Sequence, residues 1–469
     1  MALNSALQSG KTSLLSSQTA IEVTGTNISN VNTTGYSRQT AEFSDYPALL
    51  KDGFFVGQGV NVGSISREHD AFLETQLGDK SIELGYREAK SNPLSAMEQA
   101  VSISDSSLSS KIDAFFASWQ SLAGNPGGSV EREGVLQTGT QVADAFHSAA
   151  QELESIATST EQQLEAGMQG LNDKLTQLAD LNVSIAKARG SDYSPNADLD
   201  KRDMLIRDLG QSLGARPVQG ENGMVDLMLP PLPPELGGTT LVSGDMAAEL
   251  SLDLENVPGS VLVTFDGIET TPDFDSWDGE LKGSLEIRDE DIPKALAKLN
   301  TLAQTFADEV NAVHKAGKDL DGLDGKDFFV LPTGDGGNAA NIHVSGDVGT
   351  RQVAAGTSAG VGDNTNAQDL AALGKKSIDD PDGLGGSTFV GYYGSLASSV
   401  GTASSRNDLA LTGAEDSMVQ LENMRDAKVG VSLEEEMINL MQFQKGFEAS
   451  ARFISTVDEM MDTILGMKR

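Results

Sequence analysis

Large apolar residues recur every seven positions at both ends of the chain. Near the start, Leu7, Leu14, Ile21 and Ile28 form one stripe, with Leu3, Gly10, Ser17, Thr24 and Val31 in the intervening positions. The spacing predicts a helix from Leu3 to Val31. It should be stopped by Asn27, Asn30, Asn32, Thr33, Thr34 and Gly35, because short polar side chains bond the backbone and compete with helical geometry. Near the end, Leu433, Leu440, Phe447, Ile454 and Met461 fall seven apart. Phe443, Val457 and Ile464 fill the alternate seam, with Glu436 and Ser450 as its polar exceptions. Ser432-Leu433-Glu434-Glu435 reads as a capping box, with Ser432 capping the Glu435 amide and the carboxylate reaching back. A helix from there to Gly466 is about 50 Å long at about 1.5 Å per residue. That is too long to bury on a small domain, so it needs a partner helix. Periodicity leaves the partner open: the other end of the same chain, or another copy.

Between the ends, residues 66–123 and 129–190 carry apolar residues at helical spacing, broken near Asn125-Pro126-Gly127-Gly128. Residues 291–316 read as a helix with Leu296, Leu299, Leu302, Phe306, Val310 and Val313 on one face, and 403–428 as a shorter one. Residues 212–288 differ. Runs such as Thr239-Thr240-Leu241-Val242 and Val261-Leu262-Val263-Thr264-Phe265 are bounded by Gly and Asp, as strands joined by turns are. Residues 318–400 are Gly/Asp-rich with a few short strand candidates. The expected fold class is mainly α with an inserted β domain, elongated and multidomain, its terminal helices paired as a coiled-coil-like inner domain. The expected division is 1–40 with 430–469 as the inner terminal-helix domain, 41–211 with 289–429 as a middle helical domain with loops and short strands, and 212–288 as an outer β domain.

Composition narrows the chemistry. The 469 residues are too many for one core, and 38% hydrophobic residues suffice to build several. With 33 Lys and Arg against 69 Asp and Glu, the formal net charge is 33 − 69 = −36, which repels phosphate backbones and anionic lipid heads. Neither nucleic acid nor membrane is expected as a partner. The absence of cysteine excludes disulfides, zinc–thiolate sites and thiol catalysis. No signal-peptide pattern opens the chain, which by itself points to the cytoplasm. His69, His147, His314 and His343 are widely spaced and read as ordinary, partly exposed side chains rather than convergent ligands. The acidic run Asp319, Asp321, Asp324, Asp327 fails as a calcium loop. Leu323 stands where a third ligand belongs, Asp324 where the turn glycine belongs, and Val330 where a bidentate glutamate belongs. Gly57-Gln58-Gly59-Val60-Asn61-Val62-Gly63 has one residue too many for a dinucleotide fingerprint and lacks the strand–helix context. No catalytic, cofactor-binding or metal-ligating residues are expected, and no cofactor.

The termini also carry a recognisable text. The run from Ser17 to Gln39, containing Gly25-Thr26-Asn27-Ile28-Ser29-Asn30-Val31-Asn32-Thr33-Thr34-Gly35-Tyr36, resembles the N-terminal signature of the flagellar rod, hook and hook-associated proteins. Its ending Tyr36-Ser37-Arg38-Gln39 is the form typical of hook-associated members. Val431 to Met437 and Ile454 to Met460 resemble that family's C-terminal helix. Inner blocks follow in order: Gly57 to Gln76, Asp198-Leu199-Asp200-Lys201-Arg202-Asp203, Leu241-Val242-Ser243-Gly244, Ile287-Arg288-Asp289, Asn311 to Gly317 and Asp363 to Ala367. Thr34 departs from the usual proline, and the run Gly283 to Asp289 lacks a second glycine. The resemblance implies a non-enzymatic structural subunit at the junction between hook and filament, required for filament assembly and motility. It reverses the localisation: such proteins leave through the flagellar type III export system uncleaved and reside extracellularly in the flagellum. The implied partners are copies of itself, the hook protein, the second junction protein (hook-associated protein 3) and an export chaperone on the C-terminal helix. The implied assembly interface comprises Leu7, Leu14, Ile21, Ile28, Leu433, Leu440, Phe443, Phe447, Ile454, Val457, Met461 and Ile464. A hook, rod or flagellin subunit, and a secreted enzyme carrying flagellar termini, remain as alternatives.

Overall fold

The computed structural model describes the chain except residues 1, 52–53, 192–193, 232–237, 255–258, 333–336, 359, 361, 380–382 and 468–469. The first helix, α1 (Ala2–Ser29), leads into an antiparallel hairpin of β1 (Gln39–Asp45) and β4 (Val60–Arg67), extended by the short pair β2 (Leu49–Lys51) and β3 (Phe54–Val56). These strands fall in the part expected to be a middle helical domain with loops and short strands, and they pack on α1. Thr12 donates to the Gln58 carbonyl at 3.5 Å and Ser16 to the Val60 carbonyl at 3.1 Å. Gly59, at φ +94°, sits where a Cβ would lie 2.2 Å from Thr12 Oγ1. The glycine of the rejected fingerprint therefore serves close approach of hairpin to helix.

The helical body follows: α2 (Ala71–Ala100), α3 (Leu108–Gly124), α4 (Ser129–Arg189) and α5 (Asn196–Leu213). The break between α3 and α4 falls at Asn125–Gly128, as the Pro-Gly-Gly run predicts. At 61 residues, α4 is about 90 Å long and serves two cores in succession. Its first half, from Val135 to Leu153, joins α3, α7 (Ile292–Ala316), α9 (Thr365–Leu373) and the start of α10 (Phe389–Val429) in a core rich in aromatic rings. Phe115, Phe116, Trp119, Phe306, Phe328 and Phe389 are all buried there, and Phe306 meets Phe389 edge-on at 5.2 Å. Three short elements close this end: β12 (Phe329–Val330) pairs with β13 (His343–Val344), and α8 (Gly337–Asn341) lies between them in the chain.

The second half of α4, from Leu164, joins α5 and α6 (Gly279–Glu286) in covering two antiparallel sheets. One orders as β5 (Arg216–Gln219), β6 (Val225–Leu229), β7 (Thr239–Ser243), β8 (Met246–Ala247). The other comprises β9 (Glu249–Asp253), β10 (Ser260–Phe265) and β11 (Ile268–Thr270), with β10 central. Leu175, Leu178, Leu209 and Leu213 share one core with Leu227, Leu241, Val261, Val263 and Trp277. This core runs across the expected boundary at residue 211, because a sheet with one apolar face must bury it against something, and here the helices supply it. The expected short helix at 403–428 belongs to the 41-residue α10, whose early residues Phe389, Tyr393, Leu396 and Val400 are buried. The last element, α11 (Leu433–Met467), returns along α1.

Candidate assembly interface

The terminal helices pair antiparallel within one chain. Ser13 Oγ lies 2.9 Å from Ser450 Oγ, Asn27 donates to Glu436 at 3.0 Å, and Ser17 faces Gly446. A Cβ at Gly10 would stand 2.9 Å from Ile454 Cγ1, so the helices approach as closely as they do because that position is glycine. Of the two partners that periodicity left open, the structure places the other end of the same chain here.

The covered seam is the small and polar one. On α11 the buried residues are Glu436, Ser450 and Val457, so the two polar exceptions of the alternate seam face the partner helix. On α1 the buried residues include Ala20, Val23, Thr24 and Asn27, and also Thr12 and Ser16, which the hairpin covers. The predicted large-residue stripe flanks this contact. Leu7, Leu14, Ile21 and Ile28 are half-buried, as are Leu440, Phe443, Phe447, Ile454 and Met461. Val457 is fully buried, whereas Leu433 and Ile464 are exposed.

Asn27 is not the helix stop that its residue type implies. It lies inside α1, 1% exposed, and uses its whole amide. Its Nδ2 donates to the Gln39 carbonyl at 2.8 Å and to Glu436 at 3.0 Å, and its Oδ1 accepts from the Tyr36 hydroxyl at 2.8 Å and the Gln39 amide at 2.9 Å. Burial, with the Asp200 and Glu436 carboxylates nearby, pushes the Tyr36 hydroxyl up to about 12, so it stays a neutral donor. Glu436, 2% exposed, is paired with Arg38 Nε at 2.9 Å. Ser432 Oγ accepts from the Glu435 amide at 3.5 Å, half of the predicted capping box. The other half is absent, because the Glu435 carboxylate goes to Arg38 at 2.9 Å.

Most of the exposed apolar surface of α11 was not legible as an interface: only Leu433 and Ile464 of it stand in the predicted stripes, and Phe453 flanks the contact with α1 beside Gly10. Nine large apolar side chains of α11 are exposed: Leu433, Met437, Ile438, Met441, Phe453, Met460, Ile464, Leu465 and Met467. The available signal was a further seven-residue repeat, Phe453, Met460, Met467, which a two-helix pair does not need. The hairpin adds to this surface: Phe43 is exposed, with its ring 6.0 Å from that of Phe443, and Leu50 and Phe55 are exposed beyond it. An exposed apolar surface of this extent marks an interaction site.

Elsewhere, His314 and the acidic loop are engaged internally. His314 is fully buried rather than partly exposed. Its Nε2 accepts from the Ala354 amide at 3.0 Å, so its Nδ1 donates to the Lys326 carbonyl at 2.5 Å, and burial lowers its pKa to about 4. In the acidic loop, Asp319 accepts from the Asp321 and Leu323 amides, while Asp321, Asp324 and Asp327 pair with Arg351, Lys318 and Lys315. Among the described residues no group of acidic or histidine side chains could hold a metal ion, and no helix is long and apolar enough to cross a membrane.

The sequence matches known proteins along nearly its whole length. The sequence model described as "Flagellar hook-associated protein FlgK helical domain" matches residues 94–329. That described as "Flagellar basal body rod FlgEFG protein C-terminal" matches residues 427–467, which contain α11. The flagellar hook-associated protein 1 of Bacillus subtilis is 28% identical over 497 aligned residues, covering 98% of this chain and 97% of that one. That of Escherichia coli is 26% identical, covering 99% and 100%. In fold, the chain is similar to the flagellar hook junction protein FlgK from Burkholderia pseudomallei, with a TM-score of 0.66 at 16% identity, over 75% of this chain and 99% of that one.

Proposed function

The chain belongs to the family of the flagellar hook-associated protein FlgK, and from that premise we propose that it is the structural subunit that joins hook to filament, without which filaments do not assemble and cells do not swim. The observation that carries this reading is the surface of α11. The terminal pair spends its small and polar seam inside the protomer and leaves nine large apolar side chains of α11 exposed, a surface for neighbouring subunits to cover. Successive copies meeting through unlike patches propagate helically, which is the geometry of an axial tube. No convergent catalytic site is needed, since burial at ~25 cal/mol per Å² supplies the driving force.

In this reading the interface comprises the flanking stripe, from Leu7 to Ile28 and from Leu433 to Ile464, enlarged by the outer α11 face. The partners are further copies, the hook protein on one side and hook-associated protein 3 on the other. The subunit reaches its place by flagellar type III export without cleavage, held beforehand by a chaperone on α11. The three-part division also enters here: the terminal pair forms the inner body, the aromatic core the middle, and the sheet core the outer. The test is a deletion strain viewed by electron microscopy. Hooks without filaments, restored by expression of the chain, are expected; filaments of normal length on the deletion strain would overturn the proposal.

A further inference from the structure

The block Asp198-Leu199-Asp200-Lys201-Arg202-Asp203 finds its use where the terminal pair meets the body. Asn196, Asp200 and Asp203 lie on one face of α5 at helical spacing. Asn196 donates to the Ile65 carbonyl at 2.8 Å. Asp200, 7% exposed, accepts from the Ser37 amide at 3.1 Å and from Arg67 at 2.7 Å, and Asp203 takes the other arm of Arg67 at 2.5 Å. The opposite side of the joint is built alike. Arg425 donates to the Gly35 carbonyl at 3.2 Å and pairs with Glu74 at 2.9 Å, and the Arg38 amide donates to the Val429 carbonyl at 3.0 Å. Neither of the two apolar cores includes a residue of α1, β1, β4 or α11.

We infer that Asp200 is a positioning residue which sets the angle between the terminal pair and the body, at an elbow held by directional polar contacts rather than by a core. Buried ion pairs come near break-even against desolvation, so they specify a geometry more than they stabilise it. Among the described residues, the Asp200 carboxylate is the one group that ties both the chain linker, at Ser37, and the hairpin, at Arg67, to α5. Its loss leaves an amide without its acceptor and a half-paired guanidinium, while the helix pair and both cores keep their own contacts. The angle then loses its single value although every body stays folded. This inference is independent of the junction reading.

The absence of cysteine allows specific spin labelling of the full chain. Labels on Asp173→Cys and Glu459→Cys, both exposed, report the elbow, and labels on Gln18→Cys and Glu459→Cys report the terminal pair alone. Pulsed dipolar spectroscopy of the unsubstituted elbow should give one narrow distance distribution. Asp200→Asn keeps an acceptor oxygen but removes the charge that holds Arg67, and should broaden the single narrow peak across the elbow while leaving the within-pair distance unchanged. An elbow distribution that stays narrow in Asp200→Asn overturns the inference, and so does broadening of both distances, which would make Asp200 an ordinary stability residue. Should Asp200→Asn fail to fold, Arg67→Lys decides. It keeps the charge but loses the fork that reaches Asp200 and Asp203 together, so it should broaden the elbow distance selectively, and an elbow that stays narrow in Arg67→Lys refutes the idea.

Discussion

Met441→Glu separates assembly from folding. Met441 is 56% exposed on α11, one turn from Met437 and Ile438, which are also exposed. Fully burying such a side chain is worth about 1.5–3 kcal/mol. The nine exposed apolar side chains of α11 are 46–83% exposed. If assembly covers about half of each, every one contributes roughly 1 kcal/mol and the set about 10 kcal/mol per subunit, before the cost of association. Glutamate at 441 removes its share and places an unpaired charge in a covered seam, a penalty of several kcal/mol recurring in each subunit. The isolated chain should keep its Tm, because the position faces water. Cells expressing the variant should export it and carry hooks without filaments, seen by electron microscopy and a swimming assay. Phe447→Asp serves as contrast. The sequence alone places Phe447 on a helix exposed before assembly, but it is half-buried in the protomer, so this variant should already loosen the terminal pair. Normal swimming by Met441→Glu would remove this face from the interface, and a lowered Tm would show that it packs within the protomer.

Other consequences are testable in the isolated chain. Glu436→Ala leaves Arg38 with only Glu435 and strands one amide hydrogen of Asn27, and should destabilise the terminal pair by about 1–3 kcal/mol in urea denaturation followed at the helix ends. His314 has a folded pKa of about 4 against about 6.5 unfolded, so the unfolded chain binds the extra proton between these values. Stability should be complete above pH ~6.5 and fall by roughly 3 kcal/mol as pH drops toward 4; urea midpoints unchanged over that window after subtraction of His314→Gln would refute this. Calcium should leave calorimetry flat, because the Asp319 loop spends its carboxylates internally; micromolar binding abolished by Asp321→Ala would show otherwise.

What the residues determined by themselves was the kind and extent of the long helices. Seven-residue spacing located α1 and α11, and the Asn-Pro-Gly-Gly run located the break between α3 and α4, because periodicity and backbone restriction are local properties. The paired terminal helices and the mainly α chain with inserted strands followed from the same signals, and the ordered motif blocks pointed to the family. Tertiary structure decided which stripe is covered. α11 carries more than one apolar row, and contact between the terminal helices went to the seam lined by Gly10, Ser13 and Ser450, where small side chains let the backbones close. It decided the roles of Asn27, Asp200 and His314, since a helix-stop residue, an acidic block and a lone histidine take their meaning from partners far away in the chain. It also decided the start of α10: residues 318–400 offered only Gly/Asp-rich stretches and short strand candidates, but Thr388 caps the Gly391 amide and burial of Phe389 and Tyr393 outweighs the weak propensity of Gly391 and Gly394. A one-dimensional pattern records what each face could bury, and only the packed chain selects the neighbour that buries it.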